Sequence, residues 1–358
     1  MLASSFSHIS PTSARAAVLR AYNDDLAIET RPEPHAEPDG VVLRVLACGV
    51  CRSDWHGWTG EHPRVKPGQV PGHEYCGEVV EAGPLARWHV GDRVVAPFIL
   101  ACGHCPACAS GNQHVCPDQR LPGFVEPGAF AEYLAVPFAH NLARLPERMT
   151  PAAAAALGCR ATTAWHALTG RADLKAGEWL AIHGTGGVGL SAMLIGKALG
   201  ARVVVVDIVP EKLSHALGLG ADAAVDARHC DAAAAIRDIT GGGAHVALEA
   251  LGIAQTTNAT IECLRPLGRH VQVGMPVGHT ARMEINMNAV YMKNLALFGT
   301  RGMPSWRYPS LLALIEHGDV DFAPLIAREA SASATSRELR AFGGPTPPGV
   351  AVITDFAH

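Results

Sequence analysis

Four cysteines, Cys102, Cys105, Cys108 and Cys116, stand in the spacing C-x2-C-x2-C-x7-C in a chain that holds ten. Zinc prefers four soft ligands in a tetrahedron, and the Gly- and Pro-containing stretch from Cys102 to Cys108 can fold four thiolates round one ion. Four thiolates leave no open coordination position, so a metal here would pin a loop and do no chemistry. A pair of disulfides is the alternative, which a reducing compartment disfavours.

A second motif has the form of a phosphate-binding turn. Gly184-Thr185-Gly186-Gly187-Val188-Gly189 follows an apolar run directly and opens a helical segment. There the glycines allow a tight turn and close backbone approach to a pyrophosphate, with the helix N-terminus facing the anion. Asp207 ends the next apolar run, where a carboxylate accepts from ribose hydroxyls and repels a 2′-phosphate, favouring NAD over NADP. A tight turn without cofactor is the plain alternative.

The third constellation is Cys51-Arg52-Ser53-Asp54 with His56, then Gly72-His73-Glu74 and, far along, Gly158-Cys159. Two cysteines and one histidine would make an open zinc site, with a fourth position for water or a substrate oxygen. Spacing alone does not pair ligands so widely separated.

These motifs need a fold to position them. The chain has 358 residues, 48% hydrophobic and 17% charged, with a formal net charge of −4, as for an ordinary globular chain of about two domains. Its 29 Lys and Arg form no basic run, which argues against nucleic acid and anionic membrane surfaces. No apolar run approaches the ~18 residues of a membrane span. Met1 to Arg15 is Ser-rich without acidic residues, faintly like a transit peptide, and is expected to be a disordered extension. With no secretory signal read, a reducing cytoplasm is expected, and Cys48, Cys76, Cys230 and Cys263 then read as small buried hydrophobes.

Up to about residue 160, short apolar runs (Val41 to Leu46, Gly77 to Val80, Arg93 to Ala96) among many Gly and Pro predict a β-rich, loop-heavy domain. From Trp179 the texture changes to strand and helix in alternation. Trp179 to His183, a helix to Leu199, Val203 to Val206, a helix through Leu217, His245 to Leu248 and His270 to Val273 predict a doubly wound parallel sheet. The tail breaks the alternation, with Leu311 to Ile315 helical and Val350 to Ile353 a strand returning to the first domain.

Together, in this order, the three motifs resemble the zinc-containing medium-chain alcohol dehydrogenase family over nearly the whole chain from about Ala16. The resemblance implies a GroES-like β-rich catalytic domain (16–160), a Rossmann cofactor domain (161–297) and a return to the first (298–358). It implies a zinc- and NAD-dependent oxidoreductase with two zinc ions per subunit, acting on a small alcohol, aldehyde or ketone. Cys51, His73 and Cys159 would ligate the catalytic zinc, Asp54 would orient His73 unless it is merely a helix N-cap, and Glu74 would lie behind the metal. Ser53 and His56 would carry the alcohol proton outward, although a lone His56 would read as a solvated loop residue. Arg52 would contact the pyrophosphate and Lys212 the adenosine ribose, unless either is only a surface charge. Gly274 and Met275 would line the nicotinamide face.

Trp55, Trp58 and Phe98 are candidate walls of an apolar alcohol pocket, with core packing the alternative for each, and Arg301 could approach a polar substrate group. Two departures from the family stand out. Arg160 follows Cys159 where many members have glycine, and Val350 replaces an arginine that often contacts the pyrophosphate. A short stretch between Cys116 and Cys159 is similar to the tetrameric microbial members, so a homo-oligomer, tetramer or dimer, is expected. Rival readings are a polyol, aldehyde-detoxifying or thiol-adduct dehydrogenase, against whose polyol branch Cys159 argues, and a non-catalytic NAD-binding protein.

Overall fold

A computed structural model describes residues 13–344 and 346–358. The expected N-terminal extension lies largely outside them, but its last three residues do not fit that reading. Ser13–Val18 is already a strand, β1, paired antiparallel with β2 (Ala27–Pro32), because the apolar run from Ala14 has a core to enter. Next come β3 (Val41–Gly49), helix α1 (Arg52–Trp58), β4 (Glu74–Ala82), β5 (Arg93–Val95), α2 (Pro106–Ala109), β6 (Tyr133–Val136), β7 (Ala143–Arg144), α3 (Pro151–Ala155) and α4 (Arg160–Trp165).

The alternating segment supplies β8 (Trp179–His183), α5 (Gly187–Ala198), β9 (Arg202–Asp207), α6 (Pro210–Gly218), β10 (Ala223–Asp226), α7 (Ala232–Thr240), β11 (Ala244–Glu249), α8 (Ala254–Glu262), β12 (Leu264–Gln272), α9 (Met287–Lys293) and β13 (Ala296–Gly299). Six strands pair in parallel in the order β10-β9-β8-β11-β12-β13. Each side chain of β8, and Val203 to Val206 of β9, is buried, as strands covered on both faces require. Strand order reverses between β8 and β11, and a doubly wound sheet opens its crevice at such a point, beyond the carboxyl ends of the strands. The sixth strand runs to Gly299, two residues past the expected domain end at 297.

The remaining elements are α10 (Tyr308–His317), β14 (Ile326–Ser331), α11 (Thr335–Ala341) and β15 (Val350–Asp355). β15 joins the first domain's sheet, ordered β14-β15-β3-β4-β5-β7, and runs antiparallel to β3 with Val352 opposite Gly49. Of the four unassigned cysteines, Cys48, Cys76 and Cys263 are buried, but Cys230 is exposed in the turn after β10, contrary to its reading as a buried hydrophobe. Among the described residues no helix is long and apolar enough to cross a membrane.

The parallel sheet also buries a titratable group. His183 ends β8 with its Nε2 unpartnered, and burial, with His270 nearby, pushes its imidazole down to about 3. The folded protein therefore refuses a proton that the unfolded chain accepts below about pH 6.5. Stability from this group is present above that pH and is lost as pH falls from ~6.5 towards 3. Thermal melts of a His183→Leu variant are expected to show a shallower decline over this range than the parent, and parallel profiles would refute the assignment.

Candidate active site

The four-cysteine lobe is built by a loop and a one-turn helix. Cys105 caps α2, Pro106 starts it, and the Cys108 N–H approaches the Cys105 sulfur at 3.5 Å. The four Sγ atoms lie within 4.8 Å of one another, with separations of 3.5 Å (Cys102 to Cys116), 3.7 Å (Cys105 to Cys116) and 4.0 Å (Cys102 to Cys108). A disulfide needs about 2.05 Å. Tetrahedral zinc with bonds of about 2.3 Å needs sulfurs about 3.8 Å apart, so the thiols fit the ion.

The second cluster converges from three distant segments. Ligand atoms of Cys51, His73, Glu74 and Cys159 also lie within 4.8 Å of one another. Asp54 organises two of these segments: its Oδ2 accepts the Cys51 N–H (3.0 Å) at the start of α1, while its Oδ1 takes His73 Nδ1 (2.8 Å) and the Gly72 N–H (3.2 Å). The carboxylate is thus both helix cap and histidine clamp. His73 Nε2 is left buried without a partner among the thiols, as a metal ligand would be. Glu74 is ion-paired with Arg160, and burial pushes its carboxyl up to about 7 although the guanidinium pulls the other way.

One cavity of about 440 Å³ joins this cluster to the glycine motif. Its walls include Cys51, Arg52, Glu74 and Arg160 at one end and Gly186 to Gly189, Asp207 and Lys212 at the other. A Cβ on Gly189 would stand 1.9 Å from the Gly184 carbonyl oxygen, so only glycine lets the helix pack on this turn. A Cβ on Gly186 would meet nothing within 4 Å, leaving the backbone open to a close ligand. Asp207 holds the turn itself: its Oδ2 accepts from the Thr185 N–H (2.9 Å) and hydroxyl (2.6 Å). Its Oδ1 accepts the N–H groups of Ile208 (2.8 Å) and Val209 (3.1 Å). The cradle fits a dinucleotide.

Residues 37–147 match the family model for the alcohol dehydrogenase GroES-like domain, and 187–317 that for the zinc-binding dehydrogenase domain. An alcohol dehydrogenase of Geobacillus stearothermophilus is 38% identical over 73% of this chain and 78% of its own. The chain belongs to the zinc-containing medium-chain alcohol dehydrogenase family. A second such relative, from Rhizobium meliloti, is 38% identical over 74% and 77% of the two chains. The solved alcohol dehydrogenase of Thermus sp. ATN1 superposes with a TM-score of 0.89 at 30% identity, covering 95% of this chain and 99% of that one. The protein is an oxidoreductase with a GroES-like domain and a Rossmann-like parallel-sheet domain.

In this dehydrogenase the remaining candidates divide. His56 Nδ1 meets Glu61 Oε2 at 2.6 Å, so the histidine is tied to a carboxylate at its outer side, while Ser53 sits half-buried on the same helix. Phe98 meets His73 edge-on, ring centroids 5.7 Å apart, and the Arg301 guanidinium lies over Phe98 at 5.5 Å while donating to Gln119 Oε1 (2.8 Å). Trp55 is covered by Arg52 at 5.3 Å. Trp58 packs in the core and donates its indole N–H to the Asp24 carbonyl (2.6 Å), which removes it from the pocket walls.

Gly274 and Met275 do not line the cavity. A Cβ on Gly274 would collide with the Gly252 and Leu251 nitrogens, so this loop backs the turn whose Leu251 does line it. Sequence reasoning missed Phe124, whose ring stands 4.6 Å from His73, Glu61, and the Arg160–Glu74 pair. Only Arg160 left a signal, a charge beside the alanine-rich run Ala152 to Leu157 that a core would have to neutralise.

Proposed function

We propose that the protein is an NAD-dependent alcohol dehydrogenase with two zinc ions per chain, transferring hydride reversibly between a primary or secondary alcohol and NAD. The observation that carries this reading is the cavity running from Asp207 and the glycine turn to Cys51 and Glu74, which belong to the cluster that His73 and Cys159 complete. A bound zinc supplies Lewis acidity towards the alcohol oxygen. The chain does the rest. Asp54 holds the His73 tautomer and aims Nε2 inward; Ser53 receives the hydroxyl proton and His56, beside Glu61, passes it to solvent. The α5 N-terminus and Arg52 hold the pyrophosphate, and Asp207 and Lys212 bracket the adenosine ribose.

Phe98 and Phe124 beside His73 favour a hydrophobic alcohol. Arg301 above Phe98, with no carboxylate partner among the described residues, favours a second reading, an alcohol with an anionic tail. A set of zinc ligands with an unpaired imidazole nitrogen speaks against a purely cofactor-binding protein. Thiolate-rich metal sites suit a reducing cytoplasm. A homo-oligomer is supported by β13, the open edge of the parallel sheet, and the exposed Met287, Tyr291 and Met292 of the neighbouring α9.

The test is NADH formation from neutral and carboxylate-bearing alcohols, with NAD or NADP, on protein whose zinc is counted. Turnover with NAD at two zinc ions per chain supports the reading; one zinc and a silent panel would return the cofactor-binding alternative. Asp207→Ala is expected to cut the NAD over NADP preference in kcat/KM by about tenfold or more. An unchanged ratio would mean that cofactor choice rests elsewhere.

A further inference from the structure

Arg160 is only 2% exposed and is the bulkiest fully buried side chain among the described residues. A buried guanidinium is tolerated when its donors are satisfied, and Glu74 satisfies only Nη2. Nη1 is buried with no acceptor in reach. The side chain also passes directly beneath the glycine turn: a Cβ built on Gly187 would lie 3.2 Å from Arg160 Cδ and 3.6 Å from Nε. Gly187 is the first residue of the 12-residue helix α5, whose free N–H groups face the cavity that Arg160 lines. From the facing strand the same point is approached by the apolar Val350, with Cγ1 at 3.3 Å.

Of the other cations lining the cavity, Arg328 is ion-paired with Glu338, Lys212 lies at the Asp207 end, and Arg52, flanked by the rings of Trp55 and Phe342, is the second guanidinium available to the pyrophosphate. We propose that Arg160, braced by Glu74, is a phosphate-binding residue for the dinucleotide, contacting its pyrophosphate from beneath the glycine turn. This rests on the dinucleotide reading above. In the complex the orphaned Nη1 gains a phosphate oxygen, and a buried cation that now faces one carboxylate faces an additional anion. Glu74 then positions the phosphate anchor as well as standing in the metal cluster, so the two ends of the site share one side chain.

The test compares the zinc-loaded full chain carrying E74Q with the E74Q/R160Q double variant, which leaves no unpaired buried charge. NADH is titrated by fluorescence, ADP and adenosine by calorimetry, and zinc is counted in each preparation. The double variant is expected to bind NADH and ADP about ten- to a hundredfold more weakly than E74Q, with adenosine affinity unchanged. Equal ADP affinity in the two proteins, or an equal loss for adenosine, overturns the proposal and points to a purely charge-balancing arginine. Parental protein that binds neither NADH nor ADP would overturn the dinucleotide reading itself, a result visible before any variant is made. Where the double variant does not fold, Arg160→Lys, which keeps a charge beside Glu74 but loses the fork, replaces it. ADP affinity within about twofold of the parent would then overturn the proposal.

Discussion

Cys51→Ala is expected to lower kcat at least about a thousandfold while the fold, the four-cysteine lobe and NADH binding survive. Cys51 contributes one thiol to a set of three soft ligands plus Glu74, and removing it leaves too few for tight zinc binding. Lewis-acid assistance worth several kcal/mol goes with the ion, and each 1.36 kcal/mol is a factor of ten in rate. The residue's backbone does its structural share regardless of the side chain, because the Cys51 N–H still reaches Asp54 and the helix still starts there. Zinc is expected to fall from two ions to one per chain, with NADH affinity changed less than threefold. A parallel collapse of NADH binding would show that the two ends of the cavity are not separable.

Cys105→Ala should act the other way, on folding before chemistry. Structural zinc contributes on the order of 10 kcal/mol to the folding of small metal sites, comparable with the whole stability of a domain. Cys105 is also the cap of α2 and the sulfur approached by the Cys108 N–H, so its loss frees the lobe's one helical turn. Soluble yield is expected to drop severalfold and the melting temperature to fall, while protein that remains folded keeps its catalytic zinc and substantial turnover. A stable, fully active variant with one zinc would show the lobe to be dispensable.

Legibility followed the range of the interaction. β8, α5 and β9 were readable because the Val203 to Val206 run, the glycine motif and Asp207 lie within one short βαβ unit. The four-cysteine lobe was likewise written in local spacing. The second metal cluster was not, since Cys51, His73 and Cys159 meet only after the first sheet closes, and here resemblance supplied what periodicity could not. Arg160 and Glu74 lie 86 residues apart, and nothing in either neighbourhood announces the partner. Residue type also misled. Cys230 reads as a buried hydrophobe but sits exposed in a turn, and of the two readings open for Trp58, pocket wall or core packing, the structure takes the second, with its indole N–H on the Asp24 carbonyl.

The return of β15 to the first sheet sets an order of assembly. The Val50 N–H is held by the Ala351 carbonyl at 3.0 Å, and Ile353 lies opposite Cys48, so the residues just before Cys51 are fixed by the strand nearest the carboxyl end. On the ribosome Cys51, His73 and Cys159 all emerge before that strand exists. The four-cysteine lobe, whose ligands lie within one short loop, can take its metal while translation continues. The second cluster takes its final backbone shape only once β15, which follows the whole parallel-sheet domain in the chain, has paired with β3.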